Sequence, residues 1–212
     1  MRKLLRAIAL ATPVVVFTQA PRDSVSPRAK QLHDRAIVVD SHDDTTQRLI
    51  FDKAFDIGKR NHARNMTDDM MRALARNGGV VMINYHAAFL SEEFRVASEK
   101  KNGNVVAAID AMSKKCGGNE ACTTMEGERI DHEAMMKGDL PKVTLEKIIE
   151  HIDHAVKTAG VDHVGLGSDF DGATMPLGME DASKLPKITD ALLKKGYSEA
   201  DIEKILGATF CG

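Results

Sequence analysis

Three short, largely apolar runs, each followed by polar residues, stand out along the chain. They are Ala36–Ser41, Val80–Tyr85 and Val161–Ser168. Short, continuous apolar runs of this kind are typical of strands that are buried on both faces of a parallel sheet. The pattern therefore predicts three buried parallel strands.

Helical periodicity follows in the segments between and after these runs. The clearest case begins at Thr144 and ends at Gly160, with one apolar stripe between them. The stripe consists of Leu145, Ile148, Ile149, Ile152, Val156 and Ala159. An earlier helix is predicted from a cap at Thr67 to Gly78, and two more around residues 188–195 and 198–206. We expect these last two helices to pack on the outside of the sheet.

The middle of the chain is less regular. Residues 91 to about 116 have a helical pattern that is interrupted at Asn102-Gly103-Asn104. Residues 117–138 are polar and only weakly periodic, so we interpret them as an excursion over the surface.

Apolar strands that alternate with helices predict an α/β fold with a parallel sheet covered by helices. Doubly wound sheets and (β/α)8 TIM barrels both satisfy this pattern. No Gly-x-Gly-x-x-Gly motif follows any predicted strand, which removes the main support for a dinucleotide-binding sheet.

The N-terminus has the pattern of a secretory signal peptide. Arg2, Lys3 and Arg6 precede the apolar stretch 7–17, and Thr18-Gln19-Ala20 supplies small residues for cleavage. A short buried helix is the alternative, but Pro13 would interrupt it. We therefore expect residues 1–20 to be a signal peptide, residues 21–35 an N-terminal tail, and the chain to be exported, periplasmic or secreted. No apolar run is long enough for a stable membrane span.

Charge and cysteine content narrow the partners and the compartment. The formal net charge is −2, and no basic cluster suggests nucleic acid binding. Cys116 and Cys122 flank a Gly-Gly-Asn turn and would close a local disulfide in an oxidising compartment, leaving Cys211 unpaired. Three free thiols are the alternative.

Two strand ends carry side chains with possible chemistry. His42 and Asp44 follow the first strand, and side chains two apart share a face, so both can bind one metal such as zinc. A helix cap or a surface pair is the alternative. Asp169 and Asp171 likewise follow the third strand, where a polar turn capped by Asp171 is the alternative to a functional site.

Four stretches together resemble the signatures of the renal (membrane) dipeptidase family. They are residues 40–44 (DSHDD), 64–69 (RNMTDD), 78–85 (GGVVMINY) and 163–172 (HVGLGSDFDG). The resemblance runs from about residue 36 to residue 206. It implies that residues 36–212 are a partial metallodipeptidase domain of the (β/α)8 TIM-barrel type, which uses a zinc-activated water.

The resemblance also implies roles for single residues. By motif position, His42 and Asp44 match zinc ligands, and Arg64 matches the arginine that binds the substrate carboxylate. Asp169 matches the aspartate that contacts the substrate amine and assists proton transfer. The implied substrate is a dipeptide, with L,D dipeptides and certain β-lactam amides as related alternatives.

The other histidines have no clear ligand partners. His151 and His154 lie one helical turn apart, but the resemblance places such a pair on the barrel exterior. Structural or surface roles are expected for the rest, which are His33, His62, His86, His132 and His163.

Part of the family pattern has no counterpart here. A (β/α)8 barrel takes about 250 residues, and the signature around the first strand passes directly, near residues 61–62, into the segment that follows the family's sixth strand. Complete family sites hold two zinc ions, and the bridging glutamate and both histidines of the second zinc are missing. The alternative to an active dipeptidase is therefore an inactive remnant that at most binds a partner. Exposed apolar strand edges at residues 37–39 and 80–83 further predict a homo-oligomer.

Overall fold

The computed structural model describes residues 25–36, 65–102, 105–170 and 172–208. Most of the predicted first strand, the predicted signal peptide and the predicted junction near residues 61–62 lie outside these ranges. Among the residues that the structure describes, no helix is long and apolar enough to cross a membrane.

In the described part of the chain, helices precede, separate and follow two short strands. Short 3-10 turns lie at Val161–His163 and Ala182–Lys184. The elements are α1 (Pro27–Arg35), α2 (Asp68–Arg76), β1 (Val81–Asn84), α3 (Ala87–Leu90), α4 (Glu92–Asn102), α5 (Val105–Lys115), α6 (Glu120–Lys137), α7 (Leu145–Ala159), β2 (Val164–Gly167), α8 (Pro186–Lys194) and α9 (Glu199–Leu206).

The two strands lie side by side and run parallel, from the pair Val81 and Val164 to the pair Asn84 and Gly167. Both strands are shorter than predicted. In the case of β2, residues 161–163 form a 3-10 turn before the strand begins. The predicted α/β class is confirmed: within the described ranges, one parallel strand pair with flanking helices corresponds to an incomplete barrel.

The core lies between this strand pair and the helices that cover it. Helix α7 follows the predicted stripe, with Ile148 and Ile152 fully buried. Leu166 of β2 and Ile205 of α9 are also inaccessible to solvent. Each such side chain stabilises the fold by about 1.5–3 kcal/mol relative to exposure, so α7, α9 and the strands hold one another in place. The last helix, α9, packs against β2.

Helix α6 corrects the interpretation of residues 117–138, which form a helix of 18 residues rather than an irregular excursion. Asn119 caps its start by accepting a hydrogen bond from the Cys122 N–H at 2.9 Å. Periodicity missed this helix because few of its side chains are buried: Met125 is 65% and Met136 62% exposed. Ion pairs along its surface, such as those of Arg129 with Glu126 and Glu133, add local support.

Cys116 and Cys122 form a disulfide that joins the end of α5 to the start of α6. Of the two alternatives that the sequence allowed, the bonded one is therefore observed. The third cysteine, Cys211, lies outside the described residues.

Within the predicted N-terminal tail, residues 27–35 form α1. Ser26 caps this helix by accepting a hydrogen bond from the Ala29 N–H at 3.2 Å, and Pro27 occupies the first helical position. The helix packs against α8, where His33 Nδ1 lies 3.0 Å from Thr189 Oγ1. The start of the described chain is thereby held against its last third.

Candidate functional site

Asp169 is the predicted site residue whose surroundings the structure describes. It comes two residues after β2 ends, at the carboxyl edge of the strand pair, where parallel α/β proteins place their sites. The residue is only 6% exposed. Burial of a carboxylate is costly unless polar groups compensate it, so its presence here points to a specific role.

The backbone of Asp169 is also strained. Its φ angle is +70°. The other positive φ angles among the described residues belong to glycines. Such conformations cost about 1 kcal/mol or more and concentrate at functional sites. The turn that creates this angle is closed by a hydrogen bond from Gly172 N–H to the Asp169 carbonyl oxygen, at 3.3 Å.

Asn84, the last residue of β1, holds the Asp169 carboxylate. Its Nδ2 donates a hydrogen bond to Asp169 Oδ2 at 3.0 Å. Its Oδ1 accepts a hydrogen bond from the backbone N–H of His86 at 2.7 Å. The pairing of Asn84 with Gly167 in the sheet places the two side chains at the same edge. Sequence analysis missed Asn84 because it ended an apolar run and was assigned to the strand.

Apolar and backbone contacts fix the rest of this edge. The Tyr85 N–H donates to the Ser168 carbonyl oxygen at 3.3 Å, which extends the strand pairing by one residue. The ring of Tyr85 meets Phe170 edge to face, with centroids 6.0 Å apart. These contacts surround the strained turn with rigid elements, which hold a functional carboxylate more accurately than a loop does.

The other predicted site residues, His42, Asp44 and Arg64, lie outside the described residues, as does Asp171. Their assignment as zinc ligands and as a substrate-binding arginine remains a prediction. Within residues 25–36, 65–102, 105–170 and 172–208, no group of three or more His, Cys, Asp or Glu side chains is arranged to hold a metal ion. The described residues therefore do not form a zinc site by themselves.

Two histidines of α7 contact protein groups. His151 Nε2 lies 3.3 Å from the Leu90 carbonyl oxygen. Burial lowers the pKa of His151, although the contact with Leu90 opposes the shift, so the ring is neutral at neutral pH and Nε2 donates the hydrogen bond. His154 Nε2 lies 2.8 Å from Asp68 Oδ1 on α2. Both contacts agree with structural roles on the outside of the sheet.

The remaining described histidines also have partners. His163 Nδ1 lies 2.9 Å from the Gly79 carbonyl oxygen, which joins the starts of the two strand segments. His132 Nε2 lies 3.5 Å from Glu180 Oε1. The His86 ring meets Phe89 edge to face at 4.8 Å. His62 lies outside the described ranges.

A cavity of about 360 Å³ runs along β1, between that strand and helices α2 and α7. Its walls are mainly apolar, and Asn84 lies at the end nearest Asp169, which does not itself line it. The lining residues are Asn65, Met66, Met71, Val80, Val81, Met82, Ile83, Asn84, Phe89, Leu90, His151, His154 and Ala155. Asn84 thus touches both the cavity and the candidate site.

Comparison with known proteins adds a family match. Residues 51–211 match the family model of the membrane dipeptidases, peptidase family M19. The Dipeptidase ataJ of Aspergillus terreus is 29% identical over 186 residues, which cover 83% of this chain and 34% of that protein. A Klebsiella pneumoniae protein, called the uncharacterized protein in pqqA 5'region, is 31% identical over 143 residues, covering 68% of this chain and 37% of that protein.

The chain thus spans roughly a third of the length of these curated relatives. Among solved structures, the probable dipeptidase PvdM from Pseudomonas aeruginosa is 28% identical, with a TM-score of 0.47. That match covers 69% of this chain and 39% of the other.

Proposed function

Because the chain belongs to the membrane dipeptidase family, peptidase family M19, we propose that it hydrolyses dipeptides and that Asp169 acts on the substrate. The observation that carries this proposal is the setting of Asp169: the residue is 6% exposed and has a φ of +70°, at the carboxyl edge of the strand pair. Burial of a carboxyl group and a strained backbone are both costly and are concentrated at functional sites, which supports this assignment.

The chemistry of a buried carboxylate suits the amino end of a dipeptide. At neutral pH the substrate amine is an ammonium ion, and its attraction to Asp169 is stronger at a site with little solvent than in water. We propose that the same carboxylate takes a proton from an attacking water and returns it to the amine nitrogen as the peptide C–N bond breaks. Both roles need one ionised oxygen that faces the substrate.

Zinc belongs to this proposal through residues outside the described ranges. His42 and Asp44 are the proposed ligands, and Arg64 is the proposed partner of the substrate carboxylate, a role that suits its planar guanidinium. When bound, zinc lowers the pKa of water and so provides a nucleophile at neutral pH.

The test is hydrolysis of dipeptides by the full chain with added zinc. We expect turnover by the wild type, and a loss of about 100-fold or more in Asp169→Asn, because general acid–base groups contribute on that scale. Asp139→Asn, the same change in the exposed turn after α6, is the matched control and should match the wild type. Equal turnover in the Asp169 and Asp139 variants would contradict the role of Asp169.

The substrate panel should contain L,L dipeptides, L,D dipeptides and a β-lactam amide. Preference for one class defines the stereochemistry that the site accepts. No turnover of any member, with or without zinc, would overturn dipeptide hydrolysis by this chain.

The second candidate is a chain that binds without hydrolysing. It is favoured by the sequence, which has no counterpart of the bridging glutamate or of the two histidines of the second zinc. Titration calorimetry with zinc separates the two candidates: zinc binding that is lost in His42→Ala supports the enzyme, and no binding supports the inactive chain.

We also propose that the chain is exported. The basic and apolar N-terminal pattern and the Cys116–Cys122 disulfide both support an oxidising compartment. Expression in a Gram-negative host, followed by separation of periplasm and cytoplasm and sequencing of the N-terminus, tests this. Cleavage after Ala20 is expected, and full-length protein found only in the cytoplasm would contradict it.

A homo-oligomer remains our proposal for the apolar edge of residues 80–83. Light scattering coupled to gel filtration gives the mass directly. A single monomer peak across a tenfold range of concentration would count against association.

A further inference from the structure

We propose that Asn84 is the residue that orients Asp169 and thereby selects which carboxylate oxygen meets the substrate. This inference rests on the proposed dipeptidase function and deepens it by naming a positioning residue. The Asn84 side chain makes two hydrogen bonds, one to Asp169 and one to the backbone of His86.

The orientation of the Asn84 amide is fixed from its far end. The backbone N–H of His86 is a donor, so only the oxygen of the amide can meet it, which it does at 2.7 Å. The amide nitrogen must therefore face Asp169, and it lies 3.0 Å from Oδ2. A flipped amide would oppose donor to donor at His86 and acceptor to acceptor at Asp169.

The side-chain nitrogen of Asn84 donates hydrogen bonds and cannot accept one. A proton on Asp169 Oδ2 would point at the hydrogens of the amide, and the contact would become repulsive. The proton that Asp169 takes during hydrolysis is therefore directed to Oδ1. Oδ2 keeps its hydrogen bond while the proton moves from water to Oδ1 and then to the leaving nitrogen, so the carboxylate does not turn between the two transfers.

Rigid surroundings make this selection effective. Asn84 ends β1 opposite Gly167 of β2, and Asp169 lies two residues after that pair. Asn84 belongs to a strand, and Asp169 to a short turn closed by the Gly172 N–H, so their separation varies less than it would between two long loops. The residues themselves are 85 positions apart in the chain.

A purely structural role for Asn84 would be to hold the turn at His86, and one substitution separates the two roles. Asn84→Asp keeps an oxygen for the His86 N–H but replaces the donor that faces Asp169 with a second carboxylate oxygen. Asn119→Asp is the matched control, because Asn119 caps α6 with its side-chain oxygen and aspartate caps equally well.

The experiment measures kcat and KM for a dipeptide from pH 5 to pH 9 in the wild type and both variants. We expect the acid limb of the Asn84→Asp profile to move up by about one pH unit or more, because two adjacent carboxylates share a proton. kcat should fall at least tenfold, and more than KM rises. A profile that coincides with those of the wild type and Asn119→Asp would overturn the proposal.

A second measurement does not depend on turnover. In thermal melts, Asn84→Asp should be less stable than the wild type at pH 8, and the difference should shrink towards pH 5, where the shared proton is bound. His86 is the titratable neighbour on the β1 side, and it is present in both proteins. A difference that is the same at both pH values assigns Asn84 to the turn alone and overturns the orienting role.

The two measurements also separate this inference from the function on which it rests. If the wild type hydrolyses no dipeptide, the proposed function fails, and the melts alone decide the contact. A gap that narrows with falling pH then supports Asn84 as the residue that sets the state of Asp169.

Discussion

Asp190 of α8 accepts a hydrogen bond from the backbone N–H of Ser26 at 3.1 Å, although 164 positions separate the two residues. Lys194 Nζ lies 2.6 Å from the other carboxylate oxygen, and Asp190 is only 6% exposed. Ser26 is the residue that caps α1, so one buried carboxylate fixes the start of that helix on α8. This contact predicts how stability changes with pH.

Burial alone would raise the pKa of Asp190, but the hydrogen bonds from Lys194 and Ser26 outweigh it, and the net pKa is below its ordinary value. Because the pKa is depressed in the folded chain, the stabilisation is present above the unfolded value near ~3.9 and is lost as pH falls through the folded value. We expect Asp190→Asn to cost about 1–2 kcal/mol at pH 7, and clearly less at pH 3.

Urea denaturation at both pH values measures this difference. Asp139→Asn, in the exposed turn after α6, is the control and should change little at either pH. If Asp190→Asn lowered the free energy of unfolding equally at pH 7 and pH 3, loss of the Asp190 charge would not be the cause of the destabilisation.

The sequence predicted those elements whose pattern has one dominant cause. Helix α7 was predicted from its apolar stripe. The helix packs against both strands, so the side chains that form the stripe are the ones that the fold buries. Helix α6 was missed because caps and surface ion pairs stabilise it, while burial is confined to its end, at Ala134 and Met135. Period-based reasoning detects the first kind of helix and not the second.

The candidate site divides in the same way. Asp169 was selected because it follows a predicted buried strand and because its position matches a family motif. Asn84 was not, because its role depends on a contact with a residue 85 positions away and on the register that pairs it with Gly167. Local pattern carries no information on that register.

Replacement of glycine by alanine should have opposite effects at Gly127, inside α6, and at Gly138, directly after it. Gly127 lies inside the helix, and an added Cβ would meet Met112 Sδ at 3.6 Å, an ordinary contact. Gly127→Ala should therefore stabilise by about 0.5–1 kcal/mol. Gly138 ends the helix at a φ of +83° with open space around it, so Gly138→Ala should destabilise by about 1 kcal/mol from backbone strain alone.

Thermal melts of the two variants test the pair directly, since each is the control for the other. Opposite shifts of the melting temperature are expected. Shifts of the same sign would show that α6 does not end at Gly138 as described.

The disulfide between Cys116 and Cys122 closes a loop with a sequence separation of 6. For a loop of that size, the restriction of the unfolded chain corresponds to about 2 kcal/mol. The double variant Cys116→Ser/Cys122→Ser should lose about that much stability. Adding reductant should lower the melting temperature of the wild type and leave the double variant unchanged.

Alkylation checks the pairing itself. The chain has 3 cysteines, so the unfolded, unreduced protein should take up a single alkyl group, at Cys211, and the reduced protein should be modified at every cysteine. Full modification before reduction would mean that the thiols are free.

The strain at Asp169 predicts an order of stability among its variants. At a φ of +70°, asparagine is tolerated and its oxygen can still accept the hydrogen bond from Asn84, so Asp169→Asn should be close to the wild type. Glycine removes the strain but also the contact. Alanine keeps the strain and loses the contact, and should be about 1–2 kcal/mol less stable than the asparagine variant. Urea denaturation of the variants gives the order. If Asp169→Ala were as stable as Asp169→Asn, the strained backbone would cost little and the contact with Asn84 would contribute little to stability. The role of the carboxylate would then be decided by Asp169→Asn, through a folded protein without turnover.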